Sequence, residues 1–472
     1  MVPSTIFSVK TFNRIGKLMN KYLTLTLLLF LLCLPQVTLA EDYLNKVLQP
    51  EQVKADLTQW MAFLDKTHPQ LAYTVADVDN FYNDVEKLKN SVDKSMSVLE
   101  LWRQVSIFNS ILNDGHTVIK LPNLKNIVNG YIKGGGGLFP FQVLFEEDKL
   151  FIKSKLNGQT SEYRKSAITH INGKPIDDFI APLLKRTNGD SESFRRALLQ
   201  RRFAQYTWLY YGQIDAFTLT LDKYGQVQTK TFEASTDGLA PKPSFSEQFK
   251  LELLDSENAL LTINTFYWGA EYKEVIQFLH ESFATLAKQN IRHLMIDIRE
   301  NGGGDDGIWI DGILPYIADK TWRTGSNFKA KVIKGRADEG ETVGDVVTGE
   351  NRFREVDNNV KKFEGDVSVL ISNFTYSSSI LFANVIQDHQ FGVLVGEATG
   401  GKSGQTGGTQ AAALKHSKLR VISPFFYLER PKGGDNHNPV SPDIAIKYDK
   451  TIPKQLVYKL INRRSLESTK AG

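Results

Sequence analysis

The chain is nearly devoid of cysteine: Cys33 is the only one in 472 residues. A single thiol cannot close an internal disulfide, so no disulfide framework staples the fold. Eight histidines lie scattered, none at ligand spacing from another, so a cysteine-rich zinc module is excluded and neither a metal nor a cofactor is expected. Excess charge of one sign is also missing, with 57 Lys and Arg against 53 Asp and Glu. Lys10, Arg14, Lys17 and Lys21 account for the whole surplus, and the first forty residues hold no acid. The remaining body is near neutral, which gives no reason to expect a nucleic-acid partner. Repeats and low-complexity tracts are absent. What is present, 41% hydrophobic and 23% charged residues, suits a folded chain of two or three domains and rules out wholesale disorder.

The sequence has only one long apolar run, Tyr22 to Leu34, placed just after Lys21. It would span about 20 Å as a helix, against a hydrocarbon layer of about 30 Å. Thr38-Leu39-Ala40 follows as a small-residue exit before Glu41-Asp42. A basic start, a short apolar centre and such an exit are the marks of a signal peptide. Residues 1–40 are therefore expected to direct export and be cleaved after Ala40. The product would be periplasmic or secreted, with no stable membrane span.

Beyond that segment the periodicity changes twice. From Pro50 to about Asn113 apolar residues recur at three- and four-residue steps, as in Val98, Leu101, Trp102, Val105, Phe108 and Leu112. A helical region over 41–130 is expected, with the helix of that stripe stopping at Asn113-Asp114-Gly115, where glycine can take a left-handed cap. Four glycines, Gly134 to Gly137, then mark a boundary. Strands are expected at 138–144, 150–153, 168–171 and 217–221, with a helix at 176–185, giving a β domain over 134–232. From about Ser244, strands at 259–266, 293–298, 367–371 and 392–395 alternate with helices at 271–290 and 378–389. That alternation predicts a layered α/β core over 244–450, followed by a tail over 451–472.

Three stretches after expected strands concentrate functional residue types. Asp297-Ile298-Arg299-Glu300-Asn301-Gly302-Gly303-Gly304 can turn sharply and aim N–H groups at an anion. Tyr376-Ser377-Ser378 sits between a strand and a helix, where a serine either caps the helix or acts as a nucleophile at its positive end. Gly396-Glu397-Ala398-Thr399-Gly400-Gly401-Lys402-Ser403 matches the phosphate-cradling pattern G-x-x-x-x-G-K-[ST]. Gly404-Gln405-Thr406-Gly407-Gly408 follows where a helix should start, so no nucleotide is expected. Ser377 and Lys402 instead suit each other, since a serine nucleophile needs a base and a desolvated lysine can supply one.

Together these stretches resemble the tail-specific, or C-terminal-processing, serine peptidases, whose fold is related to the crotonases. Asp297, Arg299, Asn301, Gly303 and Gly304 match the family's D-x-R-x-N-x-G-G. Tyr376-Ser377 matches its nucleophile turn, and Gly396, Glu397, Thr399, Gly401 and Lys402 match its G-E-x-T-x-G-K. The resemblance implies an α/β crotonase-like core acting on polypeptides, with Ser377 as nucleophile, Lys402 as base, and Gly303 and Ser378 as oxyanion donors. The preceding β domain resembles a PDZ domain: Gly137-Leu138-Phe139 looks like its carboxylate-binding loop, and Ile168 to Pro175 like its strand and turn. The segment Thr187 to Tyr211 departs from a compact PDZ pattern.

Two departures keep the base open. Four residues after the lysine the family carries Gln, and this chain carries Thr406. Asp114-Gly115-His116-Thr117 resembles the upstream segment of tricorn-like relatives, in which a histidine is the base; they carry Ser where this chain has Gly115. His116 is thus the alternative base, and an acidic partner is sought near Asp435. Two further readings stand beside the peptidase: a non-catalytic peptide-binding protein of the same fold, and an esterase.

Overall fold

The computed structural model describes residues 38–146, 148–267, 269–434 and 436–447. The expected export signal through residue 37, Asp435 and the expected tail lie outside the described residues.

Alternation of strands and helices in the C-terminal half produces the expected layered α/β arrangement. A six-stranded sheet runs in the spatial order 249–253, 258–263, 293–297, 366–371, 393–396 and 444–445. The first pair is antiparallel and the remaining pairs are parallel. Strand Asn258–Ile263 is buried on both faces, which explains why its sequence is a continuous apolar run rather than an alternating one. Helices Tyr272–Lys288 and Ser378–Asp388 cover this sheet, and their Val275, Leu279, Phe283, Ile380 and Val385 join its core. Parallel strands of this kind present their C-terminal ends to one crevice, the usual place for a site in an open α/β sheet. Asp297 and Ile371 end two adjacent strands there.

The N-terminal region is helical, as Pro50–Thr67, Val78–Ser91, Val98–Val105 and Phe108–Leu112. The apolar stripe expected as one helix is broken after Val105, and the left-handed cap falls on Asn113 (φ 47°), not Gly115. Asn tolerates that conformation better than most residues, which leaves Gly115 free for another purpose. Strand Val118–Lys120 then pairs with Arg420–Ser423 of the C-terminal half. This pairing carries the 114–117 loop across the molecule.

The β domain is an antiparallel sheet in the order 141–146, 149–155, 167–171, 216–223 and 226–233. It shares one continuous core with the N-terminal helices. Tyr131 stacks on Trp208 at 4.3 Å, and Trp102 meets Tyr206 edge-on at 5.8 Å. The segment 187–211 forms two helices: Phe194 and Ala197 of Glu192–Gln200 join the core of the α/β sheet, and Phe203–Tyr211 packs into the core shared by the β domain and the N-terminal helices.

Candidate active site

The Gly-rich turn after strand 293–297 is held by its own polar residues. Arg299 donates to both carboxylate oxygens of Asp297 (2.8 and 2.7 Å) in a buried bidentate pair. Asn301 donates from Nδ2 to Ile263 O (3.1 Å), accepts Gly303 N–H at Oδ1 (2.9 Å), and its carbonyl accepts Tyr376 N–H (3.2 Å). Ser372 Oγ donates to Arg299 O (2.6 Å) and Thr375 Oγ1 to Ile298 O (3.1 Å). The motif's side chains therefore lock two loops together. Gly303 must be glycine, since its φ is +97° and a Cβ there would fall 2.7 Å from Ser377 Cβ.

Ser377 itself sits at φ 55°, ψ −127°, a region rarely occupied by a side-chain-bearing residue. Strain of this kind at a strand-to-helix turn recurs at functional sites. Ser378 begins the following helix, so its N–H has no acceptor within that helix. Its Oγ accepts Trp309 Nε1–H at 2.9 Å. Ser378 N–H thus remains available at the turn, whereas Gly303 N–H is engaged by Asn301.

His116 reaches this serine from 261 residues away: its Nε2 lies 2.9 Å from Ser377 Oγ. Its Nδ1 lies 3.0 Å from Thr406 Oγ1, and Thr406 Oγ1 donates to Asp114 Oδ1 at 2.9 Å. The proton order follows from the carboxylate. Asp114 has no proton to give, so the Thr406 hydroxyl points at it and must accept from His116 Nδ1–H. Nε2 is then the lone-pair nitrogen facing Ser377. Asp114 is fully buried and also accepts Thr117 Oγ1 and His116 N–H. Burial opposes its charge, but the His116 and His68 imidazoles, the Thr117 hydroxyl and the His116 N–H outweigh that and hold its carboxyl below the usual range.

Lys402, one of the two expected bases, makes no hydrogen bond to Ser377 or His116. Its N–H donates to Asp190 Oδ2 (3.1 Å), and its Nζ points to Tyr73 O (3.4 Å) over the Tyr73 ring. The imidazole holds the place on the serine, and strand Gln405–Gly407 presents Thr406 to it. The Gly396–Ser403 loop runs into that strand rather than a helix. Gly115 is explained by contact: a Cβ there would fall 2.5 Å from the Tyr376 hydroxyl oxygen.

The expected carboxylate loop, Gly137-Leu138-Phe139, leads into the first strand of the β domain. Leu138 exchanges both backbone hydrogen bonds with Ser235 (3.0 and 2.8 Å), and a Cβ at Gly137 would strike Ala234. Leu138 and Phe139 point into the core, at 1% and 0% exposure. The Leu138 backbone is thus engaged by Ser235.

Sequence reasoning did not single out Asp190, Tyr376 as a hydrogen-bonding group, or His68. Tyr376 OH donates to Asp190 Oδ1 at 2.7 Å, and Tyr376 is stacked on Phe194 at 4.1 Å. His68 is buried, and burial, opposed by the Asp114 charge and reinforced by Lys331, lowers its pKa to about 4. Among the described residues no cluster of three or more His, Cys, Asp or Glu could hold a metal, and no helix is long and apolar enough to cross a membrane.

With this geometry in hand, similarity to known proteins is specific. The profile described as Peptidase family S41 matches residues 257–446. A tail-specific protease from Haemophilus influenzae is 26% identical over 146 residues, covering 30% of this chain and 17% of that one. The match thus spans less than a fifth of that relative's length. Crystal structures of mature CPAF superpose with a TM-score of 0.61 at 12% identity, covering 84% of this chain and 92% of that chain. The complex of mature CPAF with lactacystin gives 0.61 at 13% identity, covering 84% and 94%. Residues 257–446 are thus similar to peptidase family S41, and the mixed α/β fold is similar to that of CPAF.

Proposed function

We propose that this chain is a serine peptidase that hydrolyses polypeptides, with Ser377 as nucleophile and His116 as its general base. The observation that carries this reading is the 2.9 Å contact between His116 Nε2 and Ser377 Oγ, on a serine held in a strained turn. Ser377 Oγ attacks the scissile carbonyl as its proton passes to His116 Nε2. Ser378 N–H, at the positive end of helix Ser378–Asp388, meets the developing oxyanion, and Gly303 N–H joins it by exchanging its Asn301 acceptor. His116 then protonates the leaving amine, and water resolves the acyl-enzyme by the reverse of these steps. Thr406 and Asp114 fix the imidazole tautomer throughout. Lys402 takes no proton in this scheme.

The finer features of the assignment belong to the same reading. The α/β core is crotonase-like and the antiparallel sheet PDZ-like. A peptide would add along edge strand Phe141–Glu146, beside Arg201 to Gln205, rather than at Gly137 to Phe139. The substrate is an unfolded or C-terminal polypeptide segment met outside the cytoplasm after export, with neither nucleotide nor nucleic acid as partner. Digestion of an unfolded protein by the wild type beside Ser377→Ala tests this reading: cleavage is expected only in the wild type. Equal cleavage by both would refute it.

A further inference from the structure

The turn Asn188-Gly189-Asp190-Ser191 joins helices Ile176–Arg186 and Glu192–Gln200, and so belongs to the β-domain segment of the chain. Its side chains are spent elsewhere. Asn188 Nδ2 donates to Gly115 O at 2.7 Å. Asp190 Oδ1 accepts Gly115 N–H at 2.8 Å and the Tyr376 hydroxyl at 2.7 Å, while Oδ2 accepts Lys402 N–H at 3.1 Å. Ser191 Oγ donates to Gly400 O at 2.6 Å while capping the next helix at Phe194 N–H. Arg195 ties the carbonyl of Gly189 to Asn113 Oδ1.

Four consecutive residues thus hold the loop of His116, the turn of Ser377 and the strand approach of Thr406. Both backbone polar groups of Gly115, the residue before the base, end on this turn. Tyr376, the residue before the nucleophile, ends on the same carboxylate oxygen as Gly115. One carboxylate that touches neither base nor nucleophile thus ties their two loops together, beside the direct contact of Gly115 N–H with the Tyr376 hydroxyl at 3.0 Å. Its enclosure is costly: burial and the neighbouring Asp114 charge push its carboxyl up, against the Tyr376 hydroxyl, Gly115 N–H and Lys402. Two acidic side chains packed this closely would be poor design for stability alone.

We propose that Asp190 is a positioning residue that sets His116 against Ser377, so that the β-domain segment completes the catalytic site. This rests on the reading of Ser377 and His116 as nucleophile and base.

The test uses the full chain as wild type, Asp190→Ala, Asp190→Asn and Asn188→Ala. The readouts are kcat and KM on a peptide, and the ¹⁵N signals of the His116 imidazole, assigned with His116→Gln. Asp190→Ala is expected to lower kcat about 100-fold with KM unchanged, the cost of a base displaced by about 1 Å. Asp190→Asn keeps an acceptor oxygen for Gly115 and Tyr376 and should recover most of that loss. The His116 signals should move in Asp190→Ala and stay near wild type in Asp190→Asn. Wild-type kcat in Asp190→Ala, or no recovery in Asp190→Asn, overturns the proposal. Should Asp190→Ala fail to fold, Asn188→Ala decides, a kcat loss supporting the proposal and an unchanged kcat overturning it. Should the wild type show no turnover, the peptidase reading fails, and the imidazole signals alone decide about Asp190: movement supports it, identical spectra overturn it.

Discussion

The two halves of the candidate site are built in opposite ways. The nucleophile half, residues 297–304 and 373–378, hangs from adjacent parallel strands and is braced by hydrogen bonds within the α/β core. The base half arrives from the N-terminal region, across 261 residues, on a loop carried by strand Val118–Lys120. Rigid neighbouring strands position the first half locally. The second has no such frame, and long-range clips replace it: Thr406 and Asp114 behind the imidazole, Asp190 and Asn188 around Gly115. Of the two candidate bases expected from the sequence, His116 rather than Lys402 faces Ser377.

The comparison can be broken most severely at its contact point. Ser377→Ala or His116→Ala should each lower kcat at least about 10⁴-fold, and the double variant should be little worse, because the two act as one unit. Gly303→Ala strikes the nucleophile half. Its Cβ would force the Ser377 turn apart and should cost about 10²- to 10³-fold in kcat, the scale of losing an oxyanion donor. Thr406→Val strikes the base half by removing the hydroxyl that fixes the tautomer. A loss of about 100-fold is expected, with Thr406→Ser restoring most of it, read from kcat of both variants. Stability offers a gentler probe. His68 has its folded pKa lowered to about 4, below its unfolded value near 6.5, so the unfolded chain binds the extra proton in that window. Stability is therefore lost as pH falls from about 6.5 to about 4, and His68→Gln should flatten that part of a melting-temperature profile. Smallest of all, Lys402→Met should change kcat less than about 10-fold, since its ammonium bonds to Tyr73 O over the Tyr73 ring and not, among the described residues, to Ser377 or His116.

Legibility in the sequence followed the same division. The α/β core was readable because its strands and helices keep their periods over contiguous stretches, and the D-x-R-x-N-x-G-G run, Ser377 and Gly303 lie within them. The N-terminal helices were readable as helical but not as separate pieces, because the break after Val105 leaves the apolar stripe uninterrupted. On the base side, Gly115 and Thr406 stood out only as departures from a family pattern. Their meaning required the Tyr376 ring beside one and the imidazole beside the other. Asp190 carried no local signal at all. Its three donors come from residues 115, 376 and 402, and no window of sequence contains them together. The PDZ-like glycines were ambiguous, because a Gly-rich loop can pair with Ser235 as well as cradle a terminus, and the Leu138 pairing is visible only in the fold.

The most direct test of the account is the rate of covalent labelling by a fluorophosphonate probe, compared among wild type, Ser377→Ala, His116→Ala and Lys402→Met. The account predicts rapid labelling of the wild type and of Lys402→Met, and none above background for Ser377→Ala and His116→Ala. Labelling that survives in His116→Ala and disappears in Lys402→Met would contradict it and return the role of base to the lysine.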